Sequence, residues 1–146
     1  MQSSVLTVAI LAYDGIEPID IGATYGVLSM AKRLAPGLQF FVVSKLGGEL
    51  AMANGLRLVA DYSFADCPGA DVLMVLGGPG WQAACRDQSL LQFVNSFHRS
   101  KATVAGVHGR HDLGCCRFAR WPNSDNQARG CARRDSAIGC AFATAP

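Results

Sequence analysis

The segment Asp71-Val-Leu-Met-Val-Leu76-Gly77-Gly78-Pro79-Gly80 constrains this chain more than any other. Its apolar run, Val72 to Leu76, does not alternate with polar residues, which suits a strand covered on both faces. That strand runs directly into a turn of glycines. Glycine has no Cβ and tolerates positive φ, so such a turn lets main-chain N–H groups come close to a small ligand. Gly/Pro clusters also mark ordinary tight loops. Taken alone, the segment leaves both a plain strand-to-helix turn and a ligand cradle open.

The residues before and after it supply the rest of a fold. Val5 to Leu11 and Leu38 to Ser44 are two more short, nearly continuous apolar runs. Between them Ile21, Tyr25 and Leu28 recur at i, i+4 and i+7, which predicts a helix to about Leu34, stopped by Pro36-Gly37. Asp20 stands near the start of this helix as its expected N-cap. Leu50 and Met52, then Asn54-Gly55, then Leu56 and Leu58 predict a β-hairpin with a type I′ turn. Asp87 caps a further helix with an apolar stripe of Leu90, Leu91, Val94 and Phe97, and Ala102 to Val107 makes a last short strand. Strand, helix, strand, hairpin, strand, helix, strand is the order of an α/β, flavodoxin-like doubly wound fold with a mostly parallel sheet, cut short after its fourth core strand. Ligands of such sheets bind beyond the carboxyl ends of the strands. That rule selects the loop from Asp14 to Asp20, the turn from Gly77 to Gly80, and whatever follows Val107.

A chain of 146 residues accommodates one domain with a real core. It has no apolar run of the roughly 18 residues that a membrane span needs, and no basic, then apolar, leader at its start. A cytoplasmic protein is expected, with its six cysteines reduced. The net charge of +2 gives no ground for nucleic-acid binding, but it conceals an asymmetry. Beyond Val107, Arg110, Arg117, Arg120, Arg129, Arg133 and Arg134 accompany Cys115, Cys116, Cys131 and Cys140, while Leu113 and Ile138 are the sole Leu, Ile or Val residues. The division expected is a partial α/β domain over residues 1–107 and a disordered or non-native basic tail over 108–146.

Asp14-Gly-Ile-Glu-Pro-Ile-Asp-Ile-Gly-Ala-Thr-Tyr-Gly-Val-Leu28, followed by Asp71 to Gly80, resembles the ThiJ/PfpI superfamily, which has the class I glutamine-amidotransferase-like fold. The likeness covers about residues 5 to 107 and is nearest to the branch of isonitrile hydratases and sensor domains of AraC-type regulators. Ala23-Thr24 and Gly26 depart from the family's usual Gly-Pro and Glu. The resemblance implies acid/base work for Asp20 and Glu17, with Gly77, Gly78, Pro79 and Gly80 as ligand or oxyanion cradle. A carboxylate beside a thiol can hold or take its proton. It further implies a small-molecule ligand, homodimers among intact relatives, and neither cofactor nor metal. It also requires a nucleophilic cysteine at the elbow after the last strand, at the start of a helix whose dipole favours the thiolate. His108 occupies that position. Cys67 and Cys85 do not lie at a strand-to-helix elbow and are read as incidental.

A shift of reading frame accounts for the tail. Regrouped from the second base of the Val107 codon, permitted spellings of residues 108 to 116 read Cys-Thr-Gly-Ala-Met-Ile-Leu-Ala-Ala, the family's elbow and helix. One step is forced: Trp121 is TGG and Pro122 begins with C, so the shifted codon is a glycine. A zinc site from the tail's His and Cys residues has poor spacing, without a Cys-x-x-Cys pair. A nucleic-acid tail is interrupted by Asp112, Asp125 and Asp135. Three functions follow as expectations: an inactive descendant of a small-molecule lyase or hydratase, a ligand-sensing domain parted from an AraC-type regulator, or a pseudoenzyme binding partners through its sheet. Loss of the elbow helix is expected to leave apolar area of the strands at 5 to 11, 72 to 76 and 103 to 107 uncovered.

Overall fold

The computed structural model describes residues 5–100 and 102–106. Strands β1 (Leu6–Leu11), β2 (Leu38–Ser44), β5 (Tyr62–Ser63), β6 (Val72–Val75) and β7 (Thr103–Gly106) form one sheet in the order β5-β2-β1-β6-β7. Every pairing in it is parallel. A separate antiparallel pair, β3 (Gly48–Ala51) and β4 (Arg57–Ala60), is the predicted hairpin. Three helices complete the described chain: α1 (Pro18–Leu34), the single turn α2 (Trp81–Ala84) and α3 (Gln88–Arg99). This is the α/β, flavodoxin-like arrangement expected from the sequence. The segment 108–146, and with it the expected tail, lies outside the described residues.

Registers explain how the strands define one edge. Leu11 is opposite Val43 on one side and Val75 on the other, and Val75 is opposite Gly106. Leu11, Val43, Val75 and Gly106 therefore lie in one row, and the loops after β1, β2 and β6 emerge together. At the amino end two aspartates extend the ladders. Asp71 donates its N–H to Thr7 O (2.9 Å) and accepts from Thr7 N–H through Oδ2 (2.8 Å). Asp61 pairs with Val42 in the same double manner, at 2.9 and 2.8 Å. Both occupy places where strand ends would otherwise leave main-chain groups unpaired.

The sheet is packed on both faces. Ala9, Leu11, Phe41, Val43, Leu73 and Val75 face α3, which contributes Leu90, Leu91, Phe93, Val94 and Phe97. Its predicted stripe is buried, and Asp87 caps the helix as expected, accepting from Ser89 N–H at 2.9 Å. Phe93 stacks on Phe64 with centroids 4.1 Å apart. On the other face Ile10, Val42 and Leu76 meet Ile21 of α1 and Leu50, Met52 and Ala60 of the hairpin. Each large side chain buried this way contributes about 1.5–3 kcal/mol.

Four expectations need correction. β1 exposes apolar area only at its start, where Val5 and Leu6 are exposed: Val8 to Leu11 are buried, because α1 and the hairpin cover one face and α3 the other. The half-buried positions lie on β6 (Val72, Met74) and β7 (Val104, Ala105). The hairpin turn is wider than two residues: Asn54 and Gly55 do have positive φ, but within a 3-10 turn at Ala53–Gly55, and Met52 N–H bonds to Leu56 O at 2.8 Å. Asp20 is not the cap of α1. Pro18, whose fixed φ suits a first helical position, starts the helix earlier, so Glu17 is the N-cap and its side chain caps nothing. Cys85 is disulfide-bonded, where reduced thiols were expected.

Candidate functional site

Released from capping, Asp20 has another task. It lies in the first turn of α1 and is 5% exposed, and its Oδ2 accepts from Gly77 N–H at 3.1 Å. A buried carboxylate bonded to an amide is held in place rather than solvated. This bond joins the helix start to the glycine turn. The main chain closes the same joint twice more: Glu17 N–H donates to Gly77 O (2.9 Å) and Gly80 N–H to Gly15 O (3.0 Å).

The glycines are required by this contact. A Cβ on Gly80 would lie 2.0 Å from Asp14 O, and one on Gly78, whose φ is +149°, would lie 2.4 Å from Glu17 N. No side chain fits between two backbones at that separation. The two readings left open for the turn thus meet in one structure, a tight loop whose tightness is set by the neighbouring loop rather than by a ligand. Two of its amides, those of Gly77 and Gly80, are used inside the protein. Pro79 has no N–H. The Gly78 N–H donates to none of the described residues.

Two contributors were not visible in the sequence. Tyr13 donates its hydroxyl to Leu76 O at 2.8 Å, fixing the carbonyl just before the glycines. The hairpin joins as well: Gly15 N–H bonds to Ala51 O (2.8 Å), Ala53 N–H to Ile16 O (2.9 Å), and Ala51 N–H to Asp14 Oδ1 (3.1 Å). Tyr13 stands two residues past β1, and no local pattern there pointed to the carbonyl of Leu76. Nothing in the hairpin's alternation indicated a contact with residues 36 or 37 positions earlier.

The expected residues are therefore placed as follows. Asp20, Glu17 and Gly77 to Gly80 come together at the carboxyl edge of the sheet, and β7 reaches Gly106 beside Val75 in the same row. His108 lies outside the described residues. Cys67 is apart from this edge, in the loop before β6, where its thiol donates to Pro68 O (3.2 Å). Burial, then the charge of Asp66, push that thiol up to about 11. Such a thiol is a poor nucleophile near neutral pH. Among the described residues no group of His, Cys, Asp and Glu is arranged to hold a metal, and no helix is long and apolar enough to cross a membrane.

A parallel sheet between helical layers, with a buried aspartate and a glycine turn joined at its carboxyl edge, defines an α/β domain of the doubly wound class. The model of the DJ-1/PfpI family matches residues 6–110, and the chain belongs to that family. Isonitrile hydratase of Pseudomonas putida is 30% identical over 102 residues, covering 70% of this chain and 43% of that protein. The chain thus spans under half the length of this relative. In fold it is similar to a ThiJ/PfpI family protein from Pseudomonas syringae (TM-score 0.61, 23% identity, 69% of this chain and 41% of that one). A DJ-1 superfamily protein from Salmonella typhimurium gives a TM-score of 0.64 at 16% identity, over 75% of this chain and 60% of the other. A protein described as a transcriptional regulator, from Vibrio parahaemolyticus, gives 0.57 at 19% identity, over 69% and 55%.

Proposed function

We propose that this chain carries the acid/base half of a small-molecule hydratase-like site and lacks its nucleophile, so that it binds a small ligand without turning it over. The observation that carries the reading is Asp20, a buried carboxylate fixed at 3.1 Å from the Gly77 amide where helix, glycine turn and sheet edge meet. Hydration of an isonitrile needs a proton at the terminal carbon and a nucleophile attacking that carbon. Asp20 is positioned to exchange the proton, with Glu17 beside it in sequence and held to Gly77 by its main chain. The Gly78 N–H is the cradle group best placed to meet developing negative charge. At the position after β7 where the family places a thiol, the sequence has His108. An imidazole there cannot make the thioimidate-type adduct that a thiolate would.

The change of frame after Val107 belongs to this reading, and sequencing the gene tests it. Codons 108 to 129 that fail to regroup into an elbow helix would refute it. The activity test uses a simple alkyl isonitrile as probe, with binding followed by NMR and formamide production by chromatography. Binding without product is expected from the chain, and weaker binding from Asp20→Asn. Turnover by the chain that Asp20→Asn abolishes would overturn the proposal. A ligand-sensing role is the second reading; the shared fold with the Vibrio protein is compatible with it. A downstream frame encoding paired helix-turn-helix units would select it.

A further inference from the structure

The peptide unit between Leu76 and Gly77 is held at both ends. Its N–H donates to Asp20 Oδ2 at 3.1 Å, and its carbonyl accepts from the Tyr13 hydroxyl at 2.8 Å. In a trans peptide these two groups point in opposite directions, so Tyr13 and Asp20 grip one plane from its two sides. Leu76 lies one residue past β6, where the pairing with β1 has ended at Leu11 and Val75. A side chain does there what a ladder does inside the sheet.

This plane needs holding. Gly77 has no Cβ, so rotation of the Leu76–Gly77 peptide meets little steric resistance on that side. Turned over, the peptide would aim its carbonyl at the Asp20 carboxylate, where two negative ends repel. The Tyr13 ring is itself fixed, because it packs against the α3 cluster and the α1–hairpin cluster alike. Hydrogen bonds in a chain also polarise one another, by about 10–30% per bond. A donor on the Leu76 carbonyl draws electron density from the peptide nitrogen and makes the Gly77 N–H a stronger donor to Asp20.

We infer that Tyr13 is a positioning residue for Asp20: through the Leu76–Gly77 peptide, its hydroxyl fixes the direction and strength of the amide that holds the carboxylate. This deepens, and rests on, the reading of Asp20 as the group that exchanges a proton with the ligand. Phenylalanine would fill the same space between the two clusters, so the role belongs to the hydroxyl alone.

Amide hydrogen exchange of the full chain, read by NMR, compares Tyr13→Phe with the unaltered protein. The Gly77 N–H is expected to exchange about 2- to 10-fold faster in the variant, as the weakening of one hydrogen bond implies. Gly80 N–H, bonded to Gly15 O in the same joint, and Ala12 N–H, bonded to Val43 O, are the references, expected to change by less than about twofold. An unchanged Gly77, or a rise shared equally by all three amides, overturns the inference. Should Tyr13→Phe fail to fold, 3-fluorotyrosine in place of the three tyrosines decides, since the ring fluorine makes the hydroxyl a stronger donor. Slower Gly77 exchange then supports the inference, and unchanged or faster exchange refutes it. A simple alkyl isonitrile added to both proteins reads the ligand separately. Weaker binding by Tyr13→Phe supports the positioning role and equal binding counts against it. Binding by neither protein sinks the proton-exchange reading of Asp20, and the Gly77 comparison still decides whether Tyr13 sets the amide that holds it.

Discussion

Replacing Gly80 by alanine tests whether the glycine turn is shaped by the loop it touches. The added Cβ would sit 2.0 Å from Asp14 O and 3.0 Å from Gly15 Cα. An ordinary contact is about 3.4 Å or more, so the two backbones would have to separate by over 1 Å. Overpacking of this kind costs about 1–3 kcal/mol. The separation also strains the Gly80–Gly15 and Glu17–Gly77 hydrogen bonds, each contributing about 0.5–1.5 kcal/mol. The combined loss is about 2–6 kcal/mol, which for a domain near 100 residues lowers Tm by roughly 10–50 °C or removes the cooperative transition. Gly69→Ala is the control, because its Cβ would meet nothing within 4 Å and its φ is not positive. It is expected to stabilise by about 0.4–1 kcal/mol through the unfolded chain. Urea unfolding followed by circular dichroism compares the two. If Gly80→Ala costs less than about 1 kcal/mol, the close approach of the loops is not what the glycines serve.

Other perturbations probe other layers. Phe93→Ala removes a ring that stacks on Phe64 and touches Phe97 within the α3 core, and should cost about 3–5 kcal/mol in urea unfolding. Cys67, with its thiol pushed up to about 11, should react slowly with iodoacetamide at pH 8 and progressively faster towards pH 11. Because its folded-state pKa is raised, the stability it contributes is present below the unfolded value near 9.0 and lost as pH rises towards 11. Asp87 is held below the ordinary carboxylate range, first by its hydrogen bond from Lys45 and then by the amides of Ser89 and Leu90. Its contribution is therefore present above the unfolded carboxylate value and is lost as pH falls through the lowered folded value. Lys45→Gln should flatten that acid limb in urea midpoints measured down the pH scale.

Much of the fold was legible because its signals are local. Leu38 to Ser44 coincides with β2, and the stripe from Leu90 to Phe97 is buried as its spacing predicts. Asp87 is a cap in both sequence and structure because capping depends on the next three residues alone. β5, only Tyr62–Ser63, was missed, since two residues carry no periodicity. Asp20 was misread as a cap because Pro18 had already fixed the helix start, and the amide it binds lies 57 residues later. The glycine turn was recognised, but which backbone it meets depends on two loops from different crossovers converging on one edge. Nothing near Asp61 or Asp71 in the sequence signals their bonds to Val42 and Thr7, which are long-range facts of the same kind.

The central place of β1 also governs how this polypeptide can be made. Val8 pairs with Phe40 on one side but with Val72 on the other, 64 residues further along. At about 5–20 residues per second, a ribosome delivers that second neighbour roughly 3–13 s after the strand itself. For that interval the nascent chain presents an unsatisfied β-edge built from Val8, Ala9, Ile10 and Leu11, a ready template for a neighbouring polysome's product and a natural target for a holding chaperone.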